Sequence, residues 1–137
     1  MKVLLDTNVV LDAIAKREPF YLDAQNVIDL ILDNKLDGYI TANSITDIFY
    51  IAKKHLNQND LRNTVRSLFT IFSIVDVLGT DCHKALDFPL DDYEDALLVV
   101  CGGKTAIDYI ITRDKEFLQK AKPSIPVISP ADFLRIL

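Results

Sequence analysis

Apolar and polar positions along the chain fall into blocks that switch between strand-length and helix-length periods. Val3-Leu4-Leu5 is a short apolar run closed by Asp6 and reads as a buried strand. Val9 to Ala15 follows as a short helix. Pro19 suits the first turn of a second helix, along which Ala24, Val27, Ile28 and Ile31 recur at helical spacing until Asp37-Gly38 breaks it. Tyr39-Ile40-Thr41 is a second strand. Ile45, Ile48, Phe49 and Ala52 mark the inner face of a third helix. Asn59 is placed to cap a fourth, with Leu61, Val65, Leu68 and Phe72 inward. Ile74 to Val77 forms a third strand closed by Gly79, and Thr80 can cap a short helix through Leu86. Beyond a loop at Pro89, a helix from Tyr93 to Cys101 is apolar nearly all round between Ala96 and Cys101. That pattern places it centrally, with Gly102-Gly103 as its stop. Tyr109 to Thr112 is a fourth strand and Lys115 to Ala121 a helix. Pro123 and Pro126 bracket a turn before a last strand at Val127-Ile128. Ser129, Pro130 and Asp132 open a C-terminal helix as cap, first residue and capping-box partner.

This strand–helix alternation predicts an α/β fold, a mostly parallel sheet with helices on both faces. The 137 residues suit one domain spanning 1–137, with neither repeat nor linker. No apolar run approaches the ~18–20 residues that span a bilayer, so no membrane association is expected. Asp6 interrupts the N-terminal apolar run before it could act as an export signal. Cys82 and Cys101 then read as reduced thiols of a cytoplasmic protein, and His55 and His83 lack the spacing of a structural zinc site.

The charged residues change the picture most. Of 20 acidic residues 17 are Asp and 3 are Glu, and the net charge is -5. Glu is the ordinary filler of exposed helix faces, whereas Asp favours caps, turns and hard-metal sites. In an open parallel sheet, ligands bind beyond the carboxyl ends of the strands. Asp6 follows the first strand, Asp114 lies two residues after the fourth, Asp47 is one to two turns into the helix after the second, and Asp92, Glu94 and Asp95 begin the buried helix. Acids distant in sequence thus converge on one edge. Packed carboxylates repel one another, and a divalent cation such as Mg²⁺ relieves that repulsion. Two such ions about 3.5–4 Å apart can activate water and stabilise the leaving oxygen in phosphodiester cleavage.

Leu5-Asp6-Thr7-Asn8-Val9-Val10-Leu11-Asp12, Asp92-Tyr93-Glu94-Asp95-Ala96-Leu97 and Thr112-Arg113-Asp114 together resemble the three motifs of the PIN domain family, and the resemblance covers essentially the whole chain. It implies a three-layer α/β/α sandwich with strand order 3-2-1-4-5. It implies a ribonuclease dependent on one or two Mg²⁺ or Mn²⁺ ions, often the toxin of a bacterial or archaeal toxin–antitoxin pair of the VapC type. RNA is then the substrate, a cognate antitoxin a partner, and a homodimer the expected assembly. Carried over by position, Asp6, Asp47, Asp95 and Asp114 are the catalytic acids and metal ligands, with Asp92 an outer ligand and Asn8 and Thr112 in support. At Asp47 the family more often has Glu, a side chain one methylene longer.

Bland readings stand beside these. Asp91 and Glu94 have capping-box spacing, so Glu94 reads as structural. Asp12, Asp23, Asp29, Asp33 and Asp37 read as solvated faces or turns, and Asp76 as an outward-facing strand residue. Lys53, Lys54, Arg62 and Arg113 could meet RNA phosphates or be ordinary surface charge. Phe49 and Tyr50 suit a protein interface better than base stacking. A catalytically silent RNA- or protein-binding PIN module and a metal-dependent phosphatase are the rival functions. The paired Asp-x-Asp of one large phosphatase class is absent here, since Asn8 stands in the second place.

Overall fold

The computed structural model describes residues 1–120 and 125–137. Five strands form one sheet in the order β3-β2-β1-β4-β5. They are β1 (Lys2–Leu5), β2 (Asp37–Thr41), β3 (Ser73–Val75), β4 (Tyr109–Ile111) and β5 (Val127–Ile128). Every pairing is parallel: Leu4 sits opposite Tyr39 on one side and Ile110 on the other. The helices are α1 (Thr7–Ile14), α2 (Tyr21–Leu32), α3 (Ala42–Ala52), α4 (Gln58–Ile71), α5 (Gly79–Asp87), α6 (Tyr93–Lys104), α7 (Lys115–Lys120) and α8 (Pro130–Ile136).

The three layers follow from the period-2 alternation of strand side chains. Val3 and Leu5 of β1 join Ile40 and Ile111 in a core shared with α1, α2, α3, α4 and Phe133 of α8. Leu4 and Ile110 point the other way, into a second core with Ala96, Val99 and Cys101 of α6, Ala85 of α5 and Phe117 of α7. A continuous apolar run in a central strand is thus what burial on both faces requires. Helix α6, apolar nearly all round, lies under the sheet with Ala96 and Cys101 fully buried.

The structure differs from the pattern-based expectations mainly at element ends. Gly38 does not end α2, which stops at Leu32 and turns through Asn34 at φ 58°. Gly38 lies inside β2, where a Cβ would fall 2.6 Å from Ile31 Cδ1; its bareness lets α2 close onto the sheet. Gly102 and Gly103 likewise do not end α6. The helix runs on to Lys104, and the chain reverses at Ala106, φ 55°. Pro19 lies in the turn before α2, outside its first turn. Asn57 caps α4 in place of Asn59, accepting the Asp60 N–H at 2.9 Å. Helix α5 begins at Gly79, ahead of Thr80, and Asp81 accepts the Leu78 N–H at 2.9 Å. Lys104 Nζ donates to that carboxylate at 2.5 Å and to Asp76 O at 2.6 Å, clipping the end of α6 to α5. This ammonium holds the Asp81 carboxyl below the usual carboxylate range. Asp76 is exposed just past β3, which ends at Val75. Ser129 caps α8 as expected, accepting the Asp132 N–H at 3.1 Å. Ala121 and Pro123, expected as a helix end and a turn, lie outside the described residues.

Candidate active site

The carboxyl ends of β1, β2 and β4 open into a cleft of about 420 Å³. Its wall carries Asp6, Asp47, Asp92, Glu94, Asp95 and Asp114, together with Asn8, Arg17 and Arg113. Each acid arrives there by local chemistry. Asp6 ends β1, where its N–H is held by Ile111 O at 2.9 Å, and then caps α1 by accepting the Thr7 N–H on Oδ1 at 2.8 Å. Its second oxygen, Oδ2, accepts the Thr112 hydroxyl at 2.9 Å and Asn8 Nδ2 at 3.4 Å. Asp92 caps α6 through the Asp95 N–H at 3.1 Å, so Asp95 and Glu94 fall in the first turn of a buried helix. Asp114 accepts the Glu116 N–H at 3.0 Å and donates its own N–H to Thr112 Oγ1 at 3.1 Å. Asp47 lies one residue before the fully buried Ile48 of α3. The start of α3 is tied to α1 by Thr7 Oγ1 donating to Ser44 Oγ at 3.0 Å.

Thr112 is fully buried and is the hub of this arrangement. Its hydroxyl donates to Asp6 and accepts from Asp114 N–H and, at 3.3 Å, from Asn8 Nδ2. Both residues expected in support therefore touch Asp6 directly.

The crowding is visible in the acids' proton affinities. Asp95 is raised to about 7, first by burial and then by the charges of Asp92, Asp6, Asp114 and Glu94. Burial likewise raises Asp6, against the lowering effect of its bonds to Thr112 and Thr7. Glu94 is raised by burial and by Asp47, Asp92 and Asp6. Among the described residues, no three His, Cys, Asp or Glu side chains already stand together as a ready cage for one ion; the acids are spread around the cleft wall.

Two residues outside the expected site bear on it, Glu94 with its capping-box spacing and Asp12, expected on a solvated face. Glu94 lines the cleft and feels three of its acids. Asp12 is 1 % exposed and joins two cleft arginines: Arg17 Nε donates to Oδ1 at 2.8 Å and Arg113 Nε to Oδ2 at 2.5 Å. A signal existed, since Val9-Val10-Leu11-Asp12-Ala13 is too apolar to leave room for a solvated face. Lys53, Lys54 and Arg62 are not brought to the cleft. The two lysines are exposed at and just beyond the end of α3, and Arg62 lies over the Phe49 ring, 5.7 Å from its centroid. Of Lys53, Lys54, Arg62 and Arg113 only Arg113 reaches the cleft, where Arg17 also stands.

Compared with known sequences, residues 2–116 match the profile of the PIN domain. The chain belongs to the PIN domain family. A curated relative, "Ribonuclease VapC1" of Aquifex aeolicus (strain VF5), is 26 % identical over 137 residues, covering 96 % of this chain and 92 % of that protein. Among solved structures, Mycobacterium tuberculosis VapC20, a sarcin-ricin loop cleaving toxin, superposes with a TM-score of 0.71 at 11 % identity, covering 90 % of this chain and 98 % of that one. DNA-bound VapBC from Salmonella typhimurium gives 0.69 at 18 % identity, covering 95 % and 98 %. This PIN chain has the sheet order expected from its motifs, 3-2-1-4-5, flanked by helices. No helix among its described residues is long and apolar enough to cross a membrane.

Proposed function

We propose that this PIN domain, as one unit spanning 1–137, is a divalent-metal-dependent ribonuclease and the toxin of a toxin–antitoxin pair. The observation that carries the reading is the convergence of Asp6, Asp95 and Asp114 on one cleft at the carboxyl edge of the sheet, each on a PIN motif. The name of the Aquifex relative supports ribonuclease chemistry, and the VapBC complexes among the similar structures support an antitoxin partner. A homodimer fits the exposed Tyr50 and Phe69 on helices α3 and α4, whereas Phe49, expected beside Tyr50 at an interface, is half-buried against the first core. The reduced cysteines expected from the sequence suit a cytoplasmic setting.

The donor set fits a hard cation. All six acids offer carboxylate oxygens, the ligand type Mg²⁺ and Mn²⁺ prefer, and their mutual repulsion is relieved by positive charge between them. Asp6, Asp95 and Asp114 would hold one or two such ions, with Asp47 completing the set and Asp92 placed as an outer ligand. A bound ion supplies a water of lowered pKa and neutralises charge on the scissile phosphate. The residues of the chain do the rest. Thr112 and Asn8 fix the orientation of Asp6, Asp92 fixes the first turn of α6 and with it Asp95, and Arg113 offers a cation to the RNA backbone.

The test is wild type against Asp6→Asn on a mixed RNA pool with Mg²⁺, Mn²⁺ and EDTA. Wild type should cleave with either metal and not with EDTA, and Asp6→Asn should lose cleavage while keeping its fold. Equal cleavage by Asp6→Asn under matched metal refutes the assignment; no cleavage by wild type under any condition refutes the activity.

A further inference from the structure

Asp12 is a carboxylate buried in the last turn of α1, between Leu11 and Ala13. Two guanidinium groups converge on it. Arg17 donates Nε to Oδ1 at 2.8 Å and its Nη2 to Asn8 O at 3.3 Å. Arg113 donates Nε to Oδ2 at 2.5 Å and Nη2 to Oδ1 at 3.1 Å, and its guanidinium carbon lies 4.1 Å from the centroid of the Phe20 ring. Both arginines line the cleft, and each side chain keeps about a third of its surface exposed (33 % and 29 %). Among the described residues Nη1 of each has no protein acceptor.

Neutralising Asp12 alone does not account for this. One arginine suffices to balance one carboxylate, and an apolar residue at position 12 would avoid the desolvation cost altogether. The triad instead carries a formal charge of +1 in an otherwise acidic cleft, with forked donors left over. Guanidiniums held by three anchors have already lost the rotamer freedom that binding would otherwise remove. One phosphodiester carries one negative charge and accepts forked N–H donors well.

We propose that Asp12 is a positioning residue that presents Arg17 and Arg113 as a two-guanidinium clamp for one backbone phosphate of the RNA, beside the acids. The clamp rests on the ribonuclease reading and extends it from the scissile bond to a neighbouring phosphate. It explains how an acidic protein retains a polyanion: the cations are few, but aimed.

The test measures binding of a short labelled single-stranded oligoribonucleotide in Mg²⁺, with Asp6→Asn present throughout to prevent cleavage. Replacing both arginines (Arg17→Gln with Arg113→Gln) should flatten the slope of log K against log salt by about 0.7, the release expected for one single-strand phosphate. Replacing both by Lys keeps the charge and loses the fork, and should weaken binding about tenfold with the slope preserved. Asp12→Asn gives the sharpest contrast. It removes a negative charge from the cleft, so diffuse electrostatics alone predicts tighter binding, whereas loss of the clamp's anchor predicts weaker binding. In the cleaving protein Asp12→Asn should raise KM with kcat little changed. Binding by the double-Lys variant as tight as the parent's, or tightened binding by a folded Asp12→Asn, overturns the proposal. Should Asp12→Asn fail to fold, the double-Lys variant decides alone. Wild type that cleaves RNA while the arginine variants keep their KM sinks the clamp only; a wild type that neither binds nor cleaves RNA sinks both the clamp and the ribonuclease reading.

Discussion

Thr112 donates its hydroxyl proton to Asp6 Oδ2 at 2.9 Å, joining the end of β4 to the end of β1 across 106 positions of sequence. Thr112 Oγ1 also accepts the Asp114 N–H at 3.1 Å, so one hydroxyl of a fully buried residue sets two acids of the cleft. Thr112→Val keeps the shape and deletes that atom. It should lower RNA cleavage by about 10–100-fold, the usual range for an outer partner of a metal ligand. It should also cost about 1–2 kcal/mol of stability for the buried N–H left unpaired. Thr112→Ser should restore most of both. Cleavage rates and urea melts of the two variants check this; full activity in a folded Thr112→Val removes Thr112 from the site.

Asp95 gives a pH prediction for the metal-free protein. Its folded pKa, about 7, lies above the unfolded value of roughly 4. Between those values the folded state binds more protons than the unfolded one, so this group's contribution to stability declines as pH rises through the window. The raised Asp6 and Glu94 act in the same direction. In EDTA the melting temperature should therefore be higher at pH 5 than at pH 7.5, and Asp95→Asn should remove much of the difference. Added Mg²⁺ should raise the melting temperature at pH 7.5 more than at pH 5. A metal-free protein more stable at pH 7.5 than at pH 5 contradicts the crowding of these carboxylates.

The two consecutive glycines of α6 separate packing from propensity. Neither has a positive φ, so both sit in backbone that alanine tolerates. A Cβ at Gly103 meets nothing within 4 Å, and Gly103→Ala should stabilise by about 0.5–1 kcal/mol through the unfolded chain's lost freedom. A Cβ at Gly102 would fall 2.8 Å from Ile125 Cδ1 and 3.5 Å from Leu4 Cδ2, both in the second core. Gly102→Ala should stabilise less than Gly103→Ala, or destabilise, because overpacking opposes the same gain. Thermal melts of the two single variants decide it by their order.

The contrast between these glycines also shows what the chain's pattern reveals. Strand and helix identities were legible because β1 and β4 are buried on both faces and read as unbroken apolar runs, while the helices carry their apolar stripes at helical period. Helix ends were less legible. Gly38 and Gly102 read as stops, yet they are points of close approach, a property of the partner surface that local sequence does not contain. The site divides in the same way. Asp6, Asp95 and Asp114 stand at element ends that topology brings to one edge, so strand order suffices to gather them. Asp12 sits inside α1, away from any strand end, and its meaning depends on Arg113, 101 positions away. Glu94 has the spacing of a cap, but Asp92 takes the capping role, leaving Glu94 to face the cleft.

Glu94 therefore yields the last prediction. It stands at the cleft wall within the influence of Asp47, Asp92 and Asp6, and burial together with those charges raises its proton affinity. The acid across the cleft on α3 is Asp47, shorter by one methylene than the Glu that the PIN family more often has there. Glu94, with the longer side chain, is expected to offer its carboxylate to the same space from α6. Glu94→Gln keeps the volume and removes the charge. It should raise the Mg²⁺ concentration for half-maximal RNA cleavage by about 10–100-fold, with the rate at saturating Mg²⁺ reduced far less. Asp47→Glu should lower the required Mg²⁺, and should restore part of the loss when combined with Glu94→Gln, because one lengthened carboxylate then substitutes for the other. Metal titrations of cleavage for the two single variants and the double variant measure this coupling. Strictly additive effects of the two changes on the half-maximal concentration would show that Glu94 and Asp47 do not share a metal position, leaving Glu94 as a mere surface acid of α6.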